Sequence, residues 1–149
     1  MLTWKINVVR IPLNEHCWLG LEGVTTGREY QRLITRYVEL LNRNGIYAIL
    51  SLHAIAPGNV PADNLVDYPM PDADHAIEFW KSVAGVFAKN HAVLFDLYNE
   101  PHPDRSDYAD LGGTDPWDCW RDGCALKLVK QQTQYTAVGM QDLITTLRA

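Results

Sequence analysis

The chain has 149 residues, of which 47% are hydrophobic and 21% are charged; this composition suits a globular domain and excludes a disordered, collagen-like or low-complexity chain. Its 13 basic and 18 acidic residues give a net charge of −5, so the chain lacks the basic character expected of a nucleic-acid or anionic-membrane binder. No apolar run approaches the roughly 20 residues that cross a bilayer, and the start shows no signal-peptide pattern. We expect one domain, too short for a complete large barrel.

Strands and helices are predicted in strict alternation along the chain. The strands are short apolar runs, and the helices are segments whose apolar residues recur at helical spacing. The predicted strands lie near residues 6–12, 46–53 and 93–99, and the predicted helices near residues 29–44, 75–89 and 126–147. Long loops at residues 56–74 and 101–124 follow the second and third strands. This order predicts one parallel sheet built from βαβ units, with the strands in sequential order and right-handed crossovers.

The cysteines and histidines give no sign of a metal site. Cys17, Cys119 and Cys124 are an odd number without a secretion signal, which does not make a disulfide framework. Cys119 and Cys124 lie in one loop, where the sequence is consistent either with a local disulfide or with two partly buried thiols. No histidine or fourth cysteine stands at metal-ligand spacing around them, and the five histidines form no pair on one helical face. We therefore predict no metal and no cofactor.

Polar residues lie at the carboxyl ends of all three predicted strands: Arg10, His53 and the pair Asn99–Glu100. In parallel α/β folds, ligands bind at the carboxyl ends of the strands. A carboxyl group at the mouth of an apolar sheet is partly desolvated, which raises its pKa and suits a general acid, so Glu100 is the candidate acid. Asn99 offers a donor and an acceptor to a hydroxyl-rich ligand, and Arg10 can orient a carboxylate. Each also has a structural interpretation: a turn glutamate before Pro101, a hydrogen-bonded histidine and an arginine in an ion pair.

Aromatic residues in the predicted loops have ring faces that could stack on a sugar. They are Trp18, Tyr68, Trp117 and Trp120. An aromatic ring combines a large apolar face with, in Trp and Tyr, a polar group at its edge. These four residues are therefore candidate sugar contacts.

The chain closely resembles glycoside hydrolase family 5, the cellulase family of clan A, in three motifs taken in order: Val9-Arg10-Ile11-Pro12, Leu50-Ser51-Leu52-His53 and Phe95-Asp96-Leu97-Tyr98-Asn99-Glu100-Pro101. The resemblance covers nearly the whole chain and implies a (β/α)8 barrel. Residues 1–149 then form a single α/β fragment, a partial TIM barrel of three parallel strand–helix units that match the second to fourth units of the family's barrel. The resemblance also implies retaining hydrolysis of β-linked glycans, a β-glucan partner and an extracellular location.

By this resemblance, Glu100 matches the catalytic acid/base and Asn99 matches the residue that binds the sugar 2-hydroxyl. Arg10 and His53 match polar support beneath the reaction centre, and Trp18 is expected to contact the substrate. The sequence departs from the family at Ser51, where an aspartate is common. An arginine–aspartate pair at that position therefore cannot be carried over from the family to this chain.

The first strand and the fifth to eighth strands of such a barrel have no counterpart in the chain. In the family, those strands carry the nucleophile Glu, a His-Tyr pair and a Trp that stacks on the substrate. Met1 then resembles an internal methionine or the edge of a cloned gene. Spacing agrees: 43 residues separate Arg10 from His53 and 46 separate His53 from Asn99, so eight units would need roughly 350 residues. Retaining hydrolysis needs two carboxyl groups about 5–5.5 Å apart. Asp96 lies four residues back along the strand, roughly 13 Å from Glu100, and Glu15 could approach, but nothing in the sequence supports its angle of attack. We expect the chain alone to be inactive and to self-associate through open sheet edges.

Two other interpretations fit parts of the sequence. A non-catalytic carbohydrate-binding or self-assembling barrel fragment would retain the same aromatic loops. A free-standing flavodoxin-like domain would need a glycine-rich phosphate loop after the first strand, and residues 13–18 contain no glycine.

Overall fold

The main sheet has three parallel strands. The computed structural model of the chain describes residues 2–25, 27–63 and 66–149. Within them β1 (Val8–Asn14), β2 (Tyr47–Ala54) and β3 (Val93–Asp96) pair in the order β1-β2-β3, both pairs parallel. The predicted parallel sheet in sequential order is confirmed. Met1 lies outside the described residues, as do residues 64 and 65 of the loop predicted at 56–74.

Helices follow each of the first two strands. Helix α2 (Gly27–Arg43) lies between β1 and β2 in the chain, and α3 (Ala76–Phe87) lies between β2 and β3, close to the predicted bounds of both helices. A short helix that the sequence analysis missed, α1 (Glu15–Leu19), begins directly after β1. The Asn14 side chain caps it by accepting from the backbone N–H of Cys17 at 3.1 Å, and Gly20 ends it in the left-handed conformation.

The hydrophobic core lies between one face of the main sheet and these helices. Successive side chains of a strand point to opposite faces, and on β2 the residues Ala48, Leu50 and Leu52 are all fully buried. Helices α2 and α3 bury Val38, Phe79, Trp80 and Val83, among others, in the same cluster. The apolar spacing that predicted the two helices is thus the spacing of their buried faces.

The opposite face of the sheet is open. Val8 and Tyr47 are paired across β1 and β2, Leu94 is paired with Ile49 across β2 and β3, and Val8, Tyr47 and Leu94 are each about half exposed. In a closed barrel this face would line the interior. The open face carries apolar side chains at the amino end of the strands and, as described below, polar ones at the carboxyl end.

The C-terminal third differs from the prediction. The loop predicted at 101–124 contains β4 (Ala109–Asp110) and α4 (Pro116–Asp122). The helix predicted at 126–147 is wrong over its first half, where β5 (Gly123–Leu128) and β6 (Gln134–Val138) form an antiparallel hairpin, and only α5 (Met140–Arg148) is helical. Strands β4, β5 and β6 make a second sheet in that order. The alternation of buried and less buried residues from 125 to 128 and from 134 to 137 has the two-residue period of a strand.

The hairpin is joined tightly to α4. Cys119 of α4 and Cys124 of β5 form a disulfide with their Cα atoms 5.0 Å apart, which decides between the two alternatives left open by the sequence. At Gly139 a Cβ atom would lie 2.4 Å from the Arg121 carbonyl oxygen, so only glycine fits there. None of the helices in the described ranges is long and apolar enough to cross a membrane.

Candidate functional site

A polar network centred on Arg10 crosses the open face of the main sheet. The Arg10 guanidinium forms an ion pair with Asp96, with Nε donating to Oδ2 at 2.9 Å. Its Nη1 donates to Oδ1 of Asn99 at 3.0 Å, and the Ser51 hydroxyl donates to Oδ2 of Asp96 at 2.7 Å. The network therefore ties all three parallel strands to the Asn99 loop.

Strand register explains why these side chains meet. Ser51 is paired with Pro12 on one side and with Asp96 on the other. Arg10 lies two residues before Pro12 and so shares its face. In this chain Asp96 supplies the carboxylate that pairs with Arg10. The guanidinium therefore has an anionic partner although position 51 is a serine and not an aspartate. The same engagement occupies Asp96, which the sequence analysis had weighed as a second catalytic carboxyl group.

His53, at the carboxyl end of β2, has a lowered pKa. Burial lowers the pKa of its imidazole, and the positive charge of Arg10 lowers it further, while the negative charges of Asp96 and Glu100 oppose this. Its Nε2 atom is buried and has no hydrogen-bond partner among the described residues. A neutral imidazole carries one donor nitrogen and one acceptor nitrogen.

Glu100 lies directly after the network in a strained backbone conformation. Its φ of 46° is left-handed, which a residue with a side chain rarely adopts and which costs about 1 kcal/mol or more. The neighbouring backbone is fixed on both sides: the Asn99 N–H donates to the Leu52 carbonyl at 2.9 Å, and the His102 N–H donates to the Pro69 carbonyl at 2.9 Å. His102 also places Nδ1 2.7 Å from the Glu100 carbonyl oxygen. The surrounding bonds thus impose the conformation of Glu100.

Glu100 is exposed, which contradicts the expectation that its carboxyl group is desolvated at the mouth of the sheet. A carboxyl group at this edge is desolvated only where other elements cover it, and the open face of the main sheet leaves Glu100 exposed to solvent. The structure nevertheless brings the predicted residues into one neighbourhood. Arg10 donates a hydrogen bond to Asn99, and the charges of Arg10 and Glu100 both shift the pKa of His53.

Trp18 is not available to a ligand, so its predicted substrate contact is wrong. It lies on α1 with its side chain fully buried, edge-on to Tyr30 and Phe79, and its Nε1 donates to the Ser82 hydroxyl at 3.0 Å. Tyr68 is buried as well. A five-residue helix is too short to show a periodic pattern, so the sequence around Trp18 predicts a loop.

Trp117 and Trp120 are the aromatic candidates that remain accessible. They lie one turn apart on α4, and their rings stack with centroids 4.8 Å apart and planes 10° from parallel. Trp117 is 66% exposed. An exposed indole face next to a proline-rich loop is suited to contact a ligand.

A buried carboxyl pair, which the sequence did not reveal, lies where α1 meets the loop before α3. Glu15 and Asp72 are fully buried; Glu15 accepts from the Ala56 N–H at 2.8 Å, and Asp72 accepts from the His75 N–H at 2.8 Å. The second oxygen of each carboxyl group has no partner among the described residues other than the facing carboxyl group. Burial raises the pKa of Glu15 well above its usual value, and the negative charge of Asp72 raises it further.

A proton satisfies this pair better than a metal ion does. Donor atoms of Glu15, Asp72 and His75 lie within 4.8 Å of one another. Nδ1 of His75, however, lies 2.7 Å from the Ala56 carbonyl oxygen, which only accepts, so this nitrogen carries a hydrogen and has no lone pair to offer. Two carboxylates fall short of the six to eight oxygens that Ca²⁺ takes. Burial and the facing Asp72 carboxyl group both raise the pKa of Glu15, so Glu15 is the member of the pair that favours the protonated form.

Comparison with known proteins identifies the family. The family model described as Cellulase (glycosyl hydrolase family 5) matches residues 1–139. The chain belongs to glycosyl hydrolase family 5, and the resemblance seen in the three strand-end motifs is confirmed. Its three parallel strands with their helices form part of the TIM-barrel fold of that family.

Relatives with curated descriptions are cellulases and endoglucanases. The chain is 27% identical to the cellulase CelDZ1 of a Thermoanaerobacterium species over 74% of this chain and 26% of that protein. It is 27% identical to an endoglucanase of Bacillus sp. (strain KSM-635) over 69% of this chain and 10% of that protein. The chain thus spans between about a tenth and a quarter of the length of these relatives. Comparison with solved structures gives no match.

Proposed function

We propose that this chain carries the acid/base half of the active site of a retaining hydrolase of β-linked glucans, similar in activity to an endoglucanase. Glu100 is the acid/base, and Asn99 binds the sugar hydroxyl next to the bond that breaks. The observation that carries the proposal is the bond from Arg10 to Oδ1 of Asn99 at 3.0 Å. Because the carbonyl end of the amide faces Arg10, its amino group is the end that can donate to a sugar.

The chemistry assigned to Glu100 has two steps. As an acid it donates a proton to the glycosidic oxygen while the bond breaks, and as a base it takes a proton from the water that completes hydrolysis. A second carboxyl group about 5–5.5 Å away acts as the nucleophile. It is contributed from outside these 149 residues in this proposal, because Asp96 is engaged with Arg10 and Glu15 is buried. The chain by itself is accordingly expected to be inactive.

The substrate and the compartment follow from the same proposal. A β-glucan polysaccharide is too large to enter a cell intact, which favours an extracellular protein. The Cys119–Cys124 disulfide supports an oxidising compartment.

A chimera tests the role of Glu100. Residues 1–139 of this chain replace the matching segment of a complete family 5 endoglucanase, and Glu100→Gln is compared with the unaltered chimera. We expect turnover of carboxymethylcellulose to fall by about 10²–10⁴-fold, because the leaving group then departs without protonation. Dinitrophenyl cellobioside has a leaving group that needs no proton, so added azide, which attacks without a base, should restore turnover of that substrate.

The matched control is Glu39→Gln, which neutralises an exposed carboxyl group on the outer side of α2 and should leave turnover unchanged. A chimera in which Glu100→Gln hydrolyses carboxymethylcellulose as fast as the parent would contradict the proposal. So would a folded but inactive chimera with Glu100 intact.

A second candidate function is non-catalytic carbohydrate binding. The observation that favours it is the exposed, stacked Trp117, which can hold a sugar without any carboxyl group. Binding of cellohexaose by this chain, together with a chimera that is indifferent to Glu100→Gln, would support this function over hydrolysis.

A further inference from the structure

Four consecutive backbone carbonyl groups, those of residues 67–70, accept hydrogen bonds from residues that follow β3. We call residues 67–70 the bracing segment. Its carbonyl groups accept, in chain order, from the Tyr108 hydroxyl, the Tyr98 hydroxyl at 2.6 Å, the His102 N–H at 2.9 Å and the Tyr135 hydroxyl at 2.8 Å. The bracing segment therefore lies against the part of the chain that carries Asn99 and Glu100.

Two of these bonds lie on either side of Glu100. Tyr98, two residues before Glu100, bonds the Tyr68 carbonyl. His102, two residues after Glu100, bonds the Pro69 carbonyl through its N–H. We infer that Tyr98 is a positioning residue for the acid/base, and that its hydroxyl group fixes the direction of the Glu100 carboxyl group by holding the loop before it. The inference rests on the proposed function of Glu100, and because Tyr98 is buried it acts through Glu100 and not on the substrate.

The strained backbone of Glu100 explains why the loop is held on both sides. A left-handed residue with a side chain keeps that conformation only where its surroundings impose it. The Tyr98 bond holds the chain before Glu100, and the His102 N–H holds the chain after it. The His102 ring adds a further bond, because Nδ1 lies 2.7 Å from the Glu100 carbonyl oxygen, which only accepts. If either side is released, Glu100 can relax to an ordinary φ, and its carboxyl group then points elsewhere.

The Tyr98 hydroxyl is a permanent donor. Burial raises the pKa of this phenol well above its usual value, so the group keeps its proton. A backbone carbonyl only accepts, so its partner must be a donor at every pH at which the protein works. Phenylalanine at this position would keep the ring in the core and remove only the bond.

A displaced acid impairs one step of hydrolysis in particular. The acid must lie about 2.6–3.2 Å from the glycosidic oxygen when the bond breaks. A misplacement of about 1 Å costs up to 10²-fold in rate. A leaving group that departs as a stable anion needs no proton, so its departure does not depend on where the acid lies. Loss of positioning is therefore recognised by its dependence on the leaving group, which a general loss of stability does not produce.

The chimera described above tests the inference with Tyr98→Phe and two cellobiosides. Phenyl cellobioside has a leaving group that needs a proton, and dinitrophenyl cellobioside does not. We expect kcat/KM for phenyl cellobioside to fall about tenfold in Tyr98→Phe, and that for dinitrophenyl cellobioside to stay within about twofold of the parent. His102→Ala should give the same pattern. His102→Asn should restore the parent ratio, because its amide nitrogen can donate to the Glu100 carbonyl as Nδ1 does.

The matched control is Tyr135→Phe, which removes another hydroxyl bond to the bracing segment. Tyr135 is buried like Tyr98, but it bonds the Met70 carbonyl from β6, far along the chain from Glu100. Its loss of stability should resemble that of Tyr98→Phe, while the ratio of the two activities should stay at the parent value. An unchanged ratio in Tyr98→Phe overturns the inference, as does an equal fall of the ratio in Tyr135→Phe.

Amide hydrogen exchange in the full 149-residue chain gives a readout without turnover. The His102 N–H bonds the Pro69 carbonyl, and the Val138 N–H bonds the Pro71 carbonyl just beyond the bracing segment. Tyr98→Phe should speed exchange of the His102 amide about tenfold and leave that of the Val138 amide unchanged. Equal exchange of the His102 amide in Tyr98→Phe and the parent overturns the inference.

Failure of this inference is distinct from failure of the proposed function. If Glu100→Gln abolishes turnover of carboxymethylcellulose while Tyr98→Phe leaves the activity ratio unchanged, the proposed function stands and positioning by Tyr98 is overturned. If the chimera is indifferent to Glu100→Gln, both are overturned, because Glu100 is then not an acid/base that needs positioning.

Discussion

Two carboxyl groups, those of Glu15 and Asp72, meet in the interior of the protein where water does not reach. Asp74 adds a further negative charge nearby, while the Ala56 N–H partly offsets this by bonding the Glu15 carboxylate. Charging both groups would leave two anions facing each other in a low dielectric. The folded protein therefore binds the Glu15 proton more tightly than the unfolded chain does.

This difference predicts how stability depends on pH. The stabilising contribution is fully present below the ordinary Glu pKa of 4.5 and is lost as the pH rises through the raised pKa of folded Glu15. Glu15→Gln keeps an acceptor for Ala56 and a permanent donor for Asp72. We expect this variant to be more stable than the parent above that range, by roughly 1–3 kcal/mol, and to show a flatter pH profile in thermal unfolding.

The exposed Glu78→Gln on α3 serves as the control and should follow the parent at every pH. If Glu15→Gln instead reproduced the parent profile across the same range, the shared proton would be ruled out.

At the level of secondary-structure elements, two glycines allow the effect of a steric clash on stability to be measured separately from the effect of helix propensity. Gly139 has an ordinary extended φ of −76°, so its requirement is purely spatial: an added Cβ would lie 2.4 Å from the Arg121 carbonyl oxygen. We expect Gly139→Ala to destabilise the fold by about 1–3 kcal/mol, because backbone atoms must move. Gly85, inside α3, has nothing within 4 Å of an added Cβ, so Gly85→Ala should stabilise by about 0.5–1 kcal/mol. Urea unfolding of both variants measures the difference.

A Gly139→Ala variant as stable as the parent would show that the backbone of α4 does not approach β6 as closely as described. A destabilised Gly85→Ala would show that α3 has a neighbour on that side.

The elements that were predicted correctly are those whose buried residues recur at a regular spacing within a short stretch of sequence. Helices α2 and α3 each bury one face, and the three parallel strands are short apolar runs whose ends place Arg10, His53 and Asn99 together. The hairpin of β5 and β6 was missed because the strand-like alternation covers only residues 125–128 and 134–137, and leucine, present at 126 and 128, is also a strong helix former.

The roles of individual side chains were harder to predict than the elements. Asp96 pairs with Arg10 across 86 residues of sequence, and no local pattern encodes such a contact. Trp18 was predicted to lie in a loop because helix α1 was not predicted. Glu15 and Asp72 are brought together only by the tertiary fold, so no local sequence pattern predicts that these two carboxyl groups face each other.

For the molecule as a whole, the main sheet is open both at its edges and on one face. Strands β1 and β3 are its edge strands, and edge strands present unpaired N–H and C=O groups to other chains. The open face adds apolar side chains, including Leu94, which is 49% exposed. Both features favour association between copies of the chain.

We predict that the 149-residue chain is not a stable monomer. Size-exclusion chromatography with light scattering over a concentration series should show association, which Leu94→Lys should reduce by placing a charge on the open face. Leu33→Lys, on the exposed side of α2, is the control and should not change it. A reducing-sugar assay on soluble β-glucan should show no turnover at any concentration, because association adds copies of Glu100 but no nucleophile.

A well-behaved monomer with turnover that Glu100→Ala abolishes would contradict both parts of this prediction. A monomer without turnover would contradict the association alone.

The left-handed backbone of Glu100 has a consequence for how this position can change in evolution. Glycine would adopt a φ of 46° without strain, so selection for stability alone would replace Glu100 with a residue that has no carboxyl group. At position 100, selection for stability and selection for a carboxyl group therefore act in opposite directions. Under the proposed acid/base role of Glu100, a lineage that gives up catalysis would gain stability by losing this side chain, whereas a lineage that keeps catalysis would have to maintain the neighbouring bonds that hold the strained backbone in place.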